Sequence, residues 1–389
     1  MIPYGKQDIS KQDIDAVTDV LCSDFITQGD QVPLFEKTLT NYCGAAHGVA
    51  VNSGTSALHI ACLALGVGKG DWVWTSPISF VASANCALYC GAKVDFVDID
   101  PRTYNLDPAA LSQKLVEAKK QGRLPKVVIP VHLAGQSCDM QSIKRLSDEY
   151  GFAIIEDASH AIGGCYRDNK IGSCEFSDIT VFSFHPVKLV TTAEGGAALT
   201  NQKTLAKKMA YFRSHGITRN EEEMTEESHG PWFYQQVALG FNYRMTDLQA
   251  ALGTSQMQRL DAFVQKRHQL IQRYNDTLSS LPLTLPFQSE DSYSASHLYI
   301  IRLVLDDISI SHRQVFTRLR EEGIGVNLHY IPIYKQPYFQ SLGVQYDACP
   351  HAEAYYQEAI SLPMFSALEE EDFTSIVTVL ARILNDSSG

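Results

Sequence analysis

No stretch of the 389-residue chain approaches the roughly 18 consecutive apolar residues that a membrane span needs. The first residues, Met-Ile-Pro-Tyr-Gly-Lys-Gln-Asp, also lack the basic-then-apolar order of an exported leader. Basic residues are in deficit: 32 Lys and Arg stand against 44 Asp and Glu, a formal charge of -12. That balance argues against a partner held mainly through its phosphate backbone, so nucleic acid is excluded as the main ligand. Cysteine is present but unorganised, with nine residues spread from Cys22 to Cys349, an odd number for a disulfide framework. Reduced thiols and a cytoplasmic location are the expectation. Compact metal-ligand spacing is missing too: His132, Asp139, Asp157, His160 and His185 fit no pattern such as His-Glu-x-x-His, and no metal is expected.

The chain is rich enough to fold unaided, with 45% hydrophobic, 10% aromatic and 20% charged residues. Its length calls for two domains. Between about residues 46 and 200, short β-branched runs alternate with helical patterns, the signature of βαβ units around a mainly parallel sheet. The spacing predicts strands at 47–52, 72–76, 94–98, 127–132, 153–157, 179–184 and 197–200, each ending in small or polar residues. In open α/β sheets ligands collect beyond the carboxyl ends of the strands. Residues 219–230, with five glutamates, read as a solvated excursion or lid. Residues 245–281 read as one long helix, 298–305 as a strand and 313–322 as a helix of a second domain.

Four features sit at these strand ends. Asn52-Ser53-Gly54-Thr55-Ser56-Ala57 leaves a strand and opens a helix. Its first N–H groups could hold a phosphate, although an ordinary cap by Ser53 or Thr55 would explain the same residues. Glu156-Asp157-Ala158-Ser159-His160 ends an apolar strand in acid, suited to a metal, a base, a protonated ring nitrogen or a mere turn cap. Lys188 follows the 179–184 strand and precedes Glu194-Gly195-Gly196. Single lysines are usually solvated, but burial there would lower the pKa and make a Schiff-base nucleophile. Phe80, after the 72–76 strand, could stack on a flat ring or simply pack. A phosphate cradle, an acid, a reactive lysine and a stacking ring are jointly the parts of a pyridoxal phosphate enzyme.

The motifs Thr27-Gln28-Gly29, Asn52 to Ala57, Glu156-Asp157-Ala158, Ser183-Phe184-His185, Lys188, Glu194-Gly195-Gly196 and Phe241-Asn242-Tyr243-Arg244 occur in family order. On them the chain resembles, nearly end to end, the DegT/DnrJ/EryC1/StrS sugar aminotransferases. The resemblance implies the aspartate aminotransferase fold (PLP-dependent transferase fold type I). It implies a large domain over 1–245 and a smaller C-terminal α/β domain over 246–389. It also implies that Lys188 binds the cofactor as a Schiff base and shuttles the proton, while Asp157 keeps the pyridine nitrogen protonated. Gly54, Thr55, Ser56 and Ser183 would hold the phosphate, Phe80 would cover the ring, and His160 would lie near its hydroxyl. Asn242 would reach the neighbouring subunit's cofactor in a homodimer.

Ile2-Pro3-Tyr4-Gly5, Phe212-Arg213-Ser214-His215-Gly216, His297-Leu298-Tyr299 and His329-Tyr330-Ile331-Pro332 point to the branch that acts in pseudaminic acid biosynthesis. That likeness implies L-glutamate as amino donor and a UDP-linked 4-keto-6-deoxy-N-acetylhexosamine as acceptor. Tyr4, Asp24, Phe25, Ile26, Thr27, Asn327, Leu328, His329 and Tyr330 would line the sugar-nucleotide pocket. The segment Ser23 to Thr27 lacks the lysine often found there in the family. Arg213, His215, Arg244 and His329 are candidates for the diphosphate or the glutamate carboxylates, with a surface or ion-pair role as the alternative for the arginines. Family members with histidine in place of the lysine remove a sugar hydroxyl instead, and Lys188 counts against that chemistry. The acidic excess is expected to lie away from the pocket, leaving the pocket cationic.

Overall fold

The computed structural model describes residues 1–343 and 349–386. Seven strands form its central sheet: β1 (His47–Val51), β2 (Trp72–Thr75), β3 (Lys93–Phe96), β4 (Val127–Ile129), β5 (Ala153–Asp157), β6 (Ile179–Ser183) and β7 (Gly196–Thr200). Their spatial order is β1, β7, β6, β5, β4, β2, β3. From β3 to β6 all neighbours are parallel, whereas β7 runs antiparallel to both β6 and β1. Successive strand side chains point to opposite faces. Val73 and Ile155 therefore enter a core with α3 (Gly54–Ala64) and α4 (Ala82–Tyr89), while Trp74 and Ile154 enter one with α5 (Pro108–Lys120) and α6 (Met140–Tyr150). Burial of both faces explains why these strands read as unbroken apolar runs rather than alternations.

The antiparallel β7 decides where chemistry can gather. Two reversals, β1 to β7 and β7 to β6, leave β1 pointing the same way as β6. The carboxyl ends of β1, β2, β5 and β6 thus share one edge of the sheet, and the start of β7 joins them: Gly196 pairs with both Ser183 and Val51.

Two N-terminal helices, α1 (Lys11–Leu21) and α2 (Gln31–Cys43), precede the sheet, and α7 (Lys203–Arg213) follows it. The helix expected over 245–281 is broken into α8 (Asp247–Met257) and α9 (Leu260–Leu278). At the break Arg259 leaves helical geometry (φ -107°, ψ 1°), and its guanidinium bonds Asp8 at 2.9 Å and Asp13 at 2.6 Å. A long-range ion pair overrides local helix periodicity there. Residues 219–230 are largely exposed, as expected, but Glu223 ties them to α7 through Lys207 at 2.6 Å.

A second core, with Tyr274, Tyr299, Leu319, Ile360 and Leu380, lies between α9, α10 (His312–Glu321), the helix Glu370–Asn385 and a three-stranded antiparallel sheet. That sheet comprises β8 (Leu283–Thr284), β9 (Tyr299–Leu303) and β10 (Ala359–Leu362), with β9 central. The N-terminus is strapped onto this unit: Ile2 N–H donates to the Gly323 carbonyl at 2.8 Å and Gly325 N–H to the Ile2 carbonyl at 2.7 Å. A Cβ at position 325 would stand 2.5 Å from that Ile2 oxygen, so only glycine permits the approach. All nine cysteines are free thiols. Among the described residues no helix is long and apolar enough to cross a membrane.

Candidate active site

A cavity of about 590 Å³ opens at the shared edge of the sheet. At one end is the start of α3. Ser53 caps the helix by accepting from Ser56 N–H at 3.1 Å, and the Ser56 hydroxyl donates to Asn52 Oδ1 at 2.7 Å. The cap therefore holds Ser56 away from the cavity and leaves the Gly54 and Thr55 amides facing it with no acceptor among the described residues. Ser183 lies beside them. A Cβ at Gly54 would be 2.9 Å from Ser183 Cβ, and one at Gly196 would be 2.6 Å from Gly54 N. Gly196 serves this close chain-to-chain packing, while Gly195 lies against the Thr192 and Met245 side chains. Unpaired amides at a helix start make an anion site.

Asp157, the last residue of β5, is buried. Its Oδ2 accepts from Ser83 Oγ at 2.6 Å, and its Oδ1 accepts from Ser159 Oγ at 2.6 Å and Ser159 N–H at 3.2 Å. Both oxygens are thus held in a fixed orientation. Lys188 lines the same cavity. Burial brings its amine down to about 8 from an ordinary 10.5, against the opposing pull of the Asp157 charge.

The far wall is aromatic and uncharged. His160 Nδ1 accepts from Ala134 N–H at 3.3 Å, which puts the proton of the neutral ring on Nε2, toward Tyr330 Oη at 3.2 Å. Burial, then the charge of Lys188, holds His160 well below the ordinary histidine range. The same two causes push His329 down to about 3. His329 Nδ1 bonds Ser361 Oγ at 2.8 Å, and its ring lies 5.3 Å from that of Tyr4. Burial raises Tyr4, and burial with the Asp157 charge raises Tyr330, so both remain protonated phenols. Tyr4 reaches the cavity because Met364 N–H donates to its carbonyl at 2.9 Å. Phe80 stands exposed at the mouth, 6.3 Å from the Tyr330 ring.

The cavity thus unites Tyr4, Gly54, Thr55, Phe80, Asp157, His160, Ser183, Lys188, Asn327, Leu328, His329 and Tyr330. Asp24, Phe25, Ile26 and Thr27 lie elsewhere, in an exposed connection whose Ile26 carbonyl accepts from Asp247 N–H at 3.1 Å. Asn242 also stands outside the wall, paired through its backbone with Ser214. Arg213 is engaged in a structural ion pair, with Nη1 at 2.6 Å from Glu36 and 3.0 Å from the Ala50 carbonyl. Arg244 bonds the Ser214 hydroxyl at 3.1 Å. The expectation of a cationic pocket is corrected for the chain's own wall: its charged residues are Lys188, Asp157 and Glu194. His132 and Asp139 are likewise engaged, His132 Nε2 with Glu156 at 2.8 Å and Asp139 in capping α6 through Ser142 N–H at 3.1 Å. Sequence reasoning gave no site role to Ser83, Ser159 or His297, the last quoted only in a family motif; His297 lines the cavity with its ring 4.5 Å from that of His160. Ser159 sits within the quoted Asp157 motif and could have been found there. Ser83 has no local signal.

Residues 7–381 match the model of the DegT/DnrJ/EryC1/StrS aminotransferase family. The chain belongs to that family. Over 385 residues it is 36% identical to the UDP-4-amino-4,6-dideoxy-N-acetyl-beta-L-altrosamine transaminase of Campylobacter jejuni subsp. jejuni serotype O:23/36, covering 99% of this chain and 98% of that one. Helicobacter pylori PseC, an aminotransferase involved in the biosynthesis of pseudoaminic acid, superposes with a TM-score of 0.90 at 31% identity and 99% coverage of each chain. The PLP form of the putative sugar aminotransferase Spr1654 from Streptococcus pneumoniae does so with a TM-score of 0.88 at 28% identity and 99% coverage of each. As a DegT/DnrJ/EryC1/StrS aminotransferase, the chain has the fold of the type I PLP-dependent transferases, and its cofactor is pyridoxal 5'-phosphate. The residues present fit that group. The unpaired Gly54 and Thr55 amides beside Ser183 suit the phosphate, the clamped Asp157 suits a ring nitrogen, and Lys188 in the same cavity has a lowered pKa.

Proposed function

We propose that this sugar aminotransferase moves the amino group of L-glutamate to C4 of a UDP-linked 4-keto-6-deoxy-N-acetylhexosamine, as in pseudaminic acid assembly for a surface glycan. The observation that carries the reading is the neutral wall of Tyr4, Asn327, His329 and Tyr330 in the same cavity as Lys188. Phenol, amide and imidazole suit the hydroxyl and N-acetyl groups of a sugar, which bears no carboxylate of its own. Likeness to the Campylobacter transaminase and to PseC supports the choice of sugar.

Pyridoxal phosphate supplies, when bound, a carbonyl that exchanges the amino group and a ring that accepts electron density. Gly54 N–H, Thr55 N–H and Ser183 Oγ bind the phosphate. Asp157 holds a proton at the ring nitrogen, oriented by the Ser83 and Ser159 hydroxyls. Phe80 would cover the ring and His160 would lie by its hydroxyl. Lys188 Nζ takes the proton from the donor's α-carbon and delivers one to C4 of the sugar, for which an amine titrating near 8 is well matched to neutral pH.

The active unit we propose is a homodimer in the cytoplasm. Support for the dimer comes from exposed apolar side chains, Trp232 at 72%, Leu239 at 80% and Phe25 at 63% exposure, on the segments that carry Asn242 and Asp24 to Thr27. In the dimer, Asn242, Arg244 and residues 24–27 would complete the neighbouring cavity. We also divide the chain into the domains 1–245 and 246–389. The second core, drawn from residue 270 onward apart from Ile2, supports this division, while α8 and the first half of α9 pack on the large domain.

The test is incubation with glutamate and a panel of UDP-, GDP- and dTDP-linked 4-ketosugars, with products identified by mass and NMR. Amination at C4 of the UDP-linked 6-deoxy-N-acetyl sugar is expected. Amination of only GDP- or dTDP-linked sugars overturns the substrate. Retained transamination in Lys188→Ala, together with a protein lacking the yellow cofactor colour, overturns the mechanism.

A further inference from the structure

A second cavity, of about 240 Å³, lies at the outer edge of the central sheet and shares no lining residue with the first. Trp72 and Trp74 are two apart on β2 and so face the same side. The parallel register places Trp72 opposite Lys93 and Trp74 opposite Asp95 of the edge strand β3. α5 closes the space with Lys114, Glu117 and Ala118, whose spacing is one helix face, and its C-cap Gln121 and then Arg123 follow. The Trp74 side chain is buried, and its indole N–H has no acceptor among the described residues. An enclosed donor without a partner is costly unless something accepts from it.

The charges narrow the ligand. Lys114 is neutralised by Asp95 at 2.7 Å and also donates to the Phe96 carbonyl at 2.6 Å. Glu117 and Arg123 remain at the rim with Gln121, whose Oε1 accepts from Arg123 Nε at 3.0 Å. An anion would meet two carboxylates here and a cation would meet Lys114 and Arg123, so net charge of either sign is disfavoured. A flat apolar ring would leave the rim groups desolvated and unpaired. Lys114 already lies over the Trp74 ring at 5.2 Å and Arg123 over the Trp72 ring at 5.7 Å, so a ligand is held by its polar groups. A hydroxylated ring fits: each hydroxyl can donate to a carboxylate and accept from a guanidinium or indole N–H. The volume is below the roughly 300–1,000 Å³ of drug-sized pockets, which suits one six-membered ring.

We propose that this cavity is a second carbohydrate site, binding one uncharged pyranose ring between Trp72, Trp74 and the Glu117 face of α5. The chain has three tryptophans, and two of them line the cavity. Holoenzyme labelled with 5-fluorotryptophan should therefore give three fluorine resonances, assigned by Trp72→Phe, Trp74→Phe and Trp232→Phe. Titration with free N-acetylglucosamine is expected to move the Trp72 and Trp74 signals saturably and leave Trp232 in place. Glu117→Ala with Gln121→Ala should weaken that binding at least about tenfold while transamination is unchanged. UDP-N-acetylglucosamine and UMP are the other arms. Signals that move with UMP but not with the free sugar would make the site a nucleotide site and overturn the proposal. Signals that move only with the sugar nucleotide, or not at all up to the sugar's solubility, would overturn it as well. An unmoved Trp232 signal and an unchanged circular dichroism spectrum show that the double variant is folded.

Discussion

Lys188, titrated in the cofactor-free enzyme, is expected to lose its proton near pH 8 instead of near 10.5. At pH 7 about one amine in ten is then neutral, against about one in three thousand at the ordinary value, a gain of roughly 300-fold in nucleophile. Pulsed labelling with an amine-selective acylating reagent at a series of pH values, read at peptide level by mass spectrometry, gives the midpoint directly, and the exposed lysines calibrate the reagent. Two effects set the midpoint, burial lowering it and Asp157 raising it. Asp157→Asn removes the raising one, so its midpoint should fall further. The same displacement fixes the sign of a stability change. Between pH 8 and 10.5 the unfolded chain binds more protons at this site than the folded one, so the cofactor-free protein gains stability as pH rises through that window. Lys188→Met should abolish that slope. A midpoint near the ordinary value, or an upward move in Asp157→Asn, would refute the argument that desolvation activates the lysine.

Asp157→Ala is expected to cost several orders of magnitude in transamination rate, because an unprotonated pyridine is a poorer electron sink; single-turnover kinetics with glutamate would show it, and a full rate would mean that the acid acts elsewhere. Arg213→Met should lower stability by about 1–3 kcal/mol, since it leaves Glu36 part-buried and without its cation, yet leave KM for the sugar nucleotide unchanged. Denaturant unfolding beside steady-state kinetics separates the two, and a raised KM with unchanged stability would restore Arg213 to the substrate.

What was legible in the sequence is what local chemistry decides. The strands announce themselves because both faces are buried, and the residues that matter stand where strands stop: Asp157 at the end of β5, Ser183 at the end of β6, Gly54 just past β1. Contacts between distant segments were not legible. Ser83 reaches Asp157 across 74 positions, and Glu36 takes Arg213 across 177. Arg259 likewise breaks a helix that its own neighbours favour, because Asp8 and Asp13 lie more than 240 positions away.

Charge shows the same limit from the other side. A surplus of acid over the whole chain says nothing about one cavity, and the expectation of a cationic pocket rested on the substrate rather than on any residue pattern. The wall built by a single chain carries one lysine against Asp157 and Glu194, and Arg213 is already paired. Among the described residues a nucleotide diphosphate finds no free cation on that wall beyond Lys188, and the helix-start amides are taken by the cofactor phosphate. Cations from another surface would supply the missing charge. Arg244, whose side chain bonds the Ser214 hydroxyl and which is two residues from Asn242, stands on a segment flanked by exposed Leu239. If two chains pack through that segment, the cavity gains its missing positive charge and the apolar surface is covered at the same time. A monomer at working concentration that still bound UDP-sugar tightly would break this link between assembly and substrate recognition.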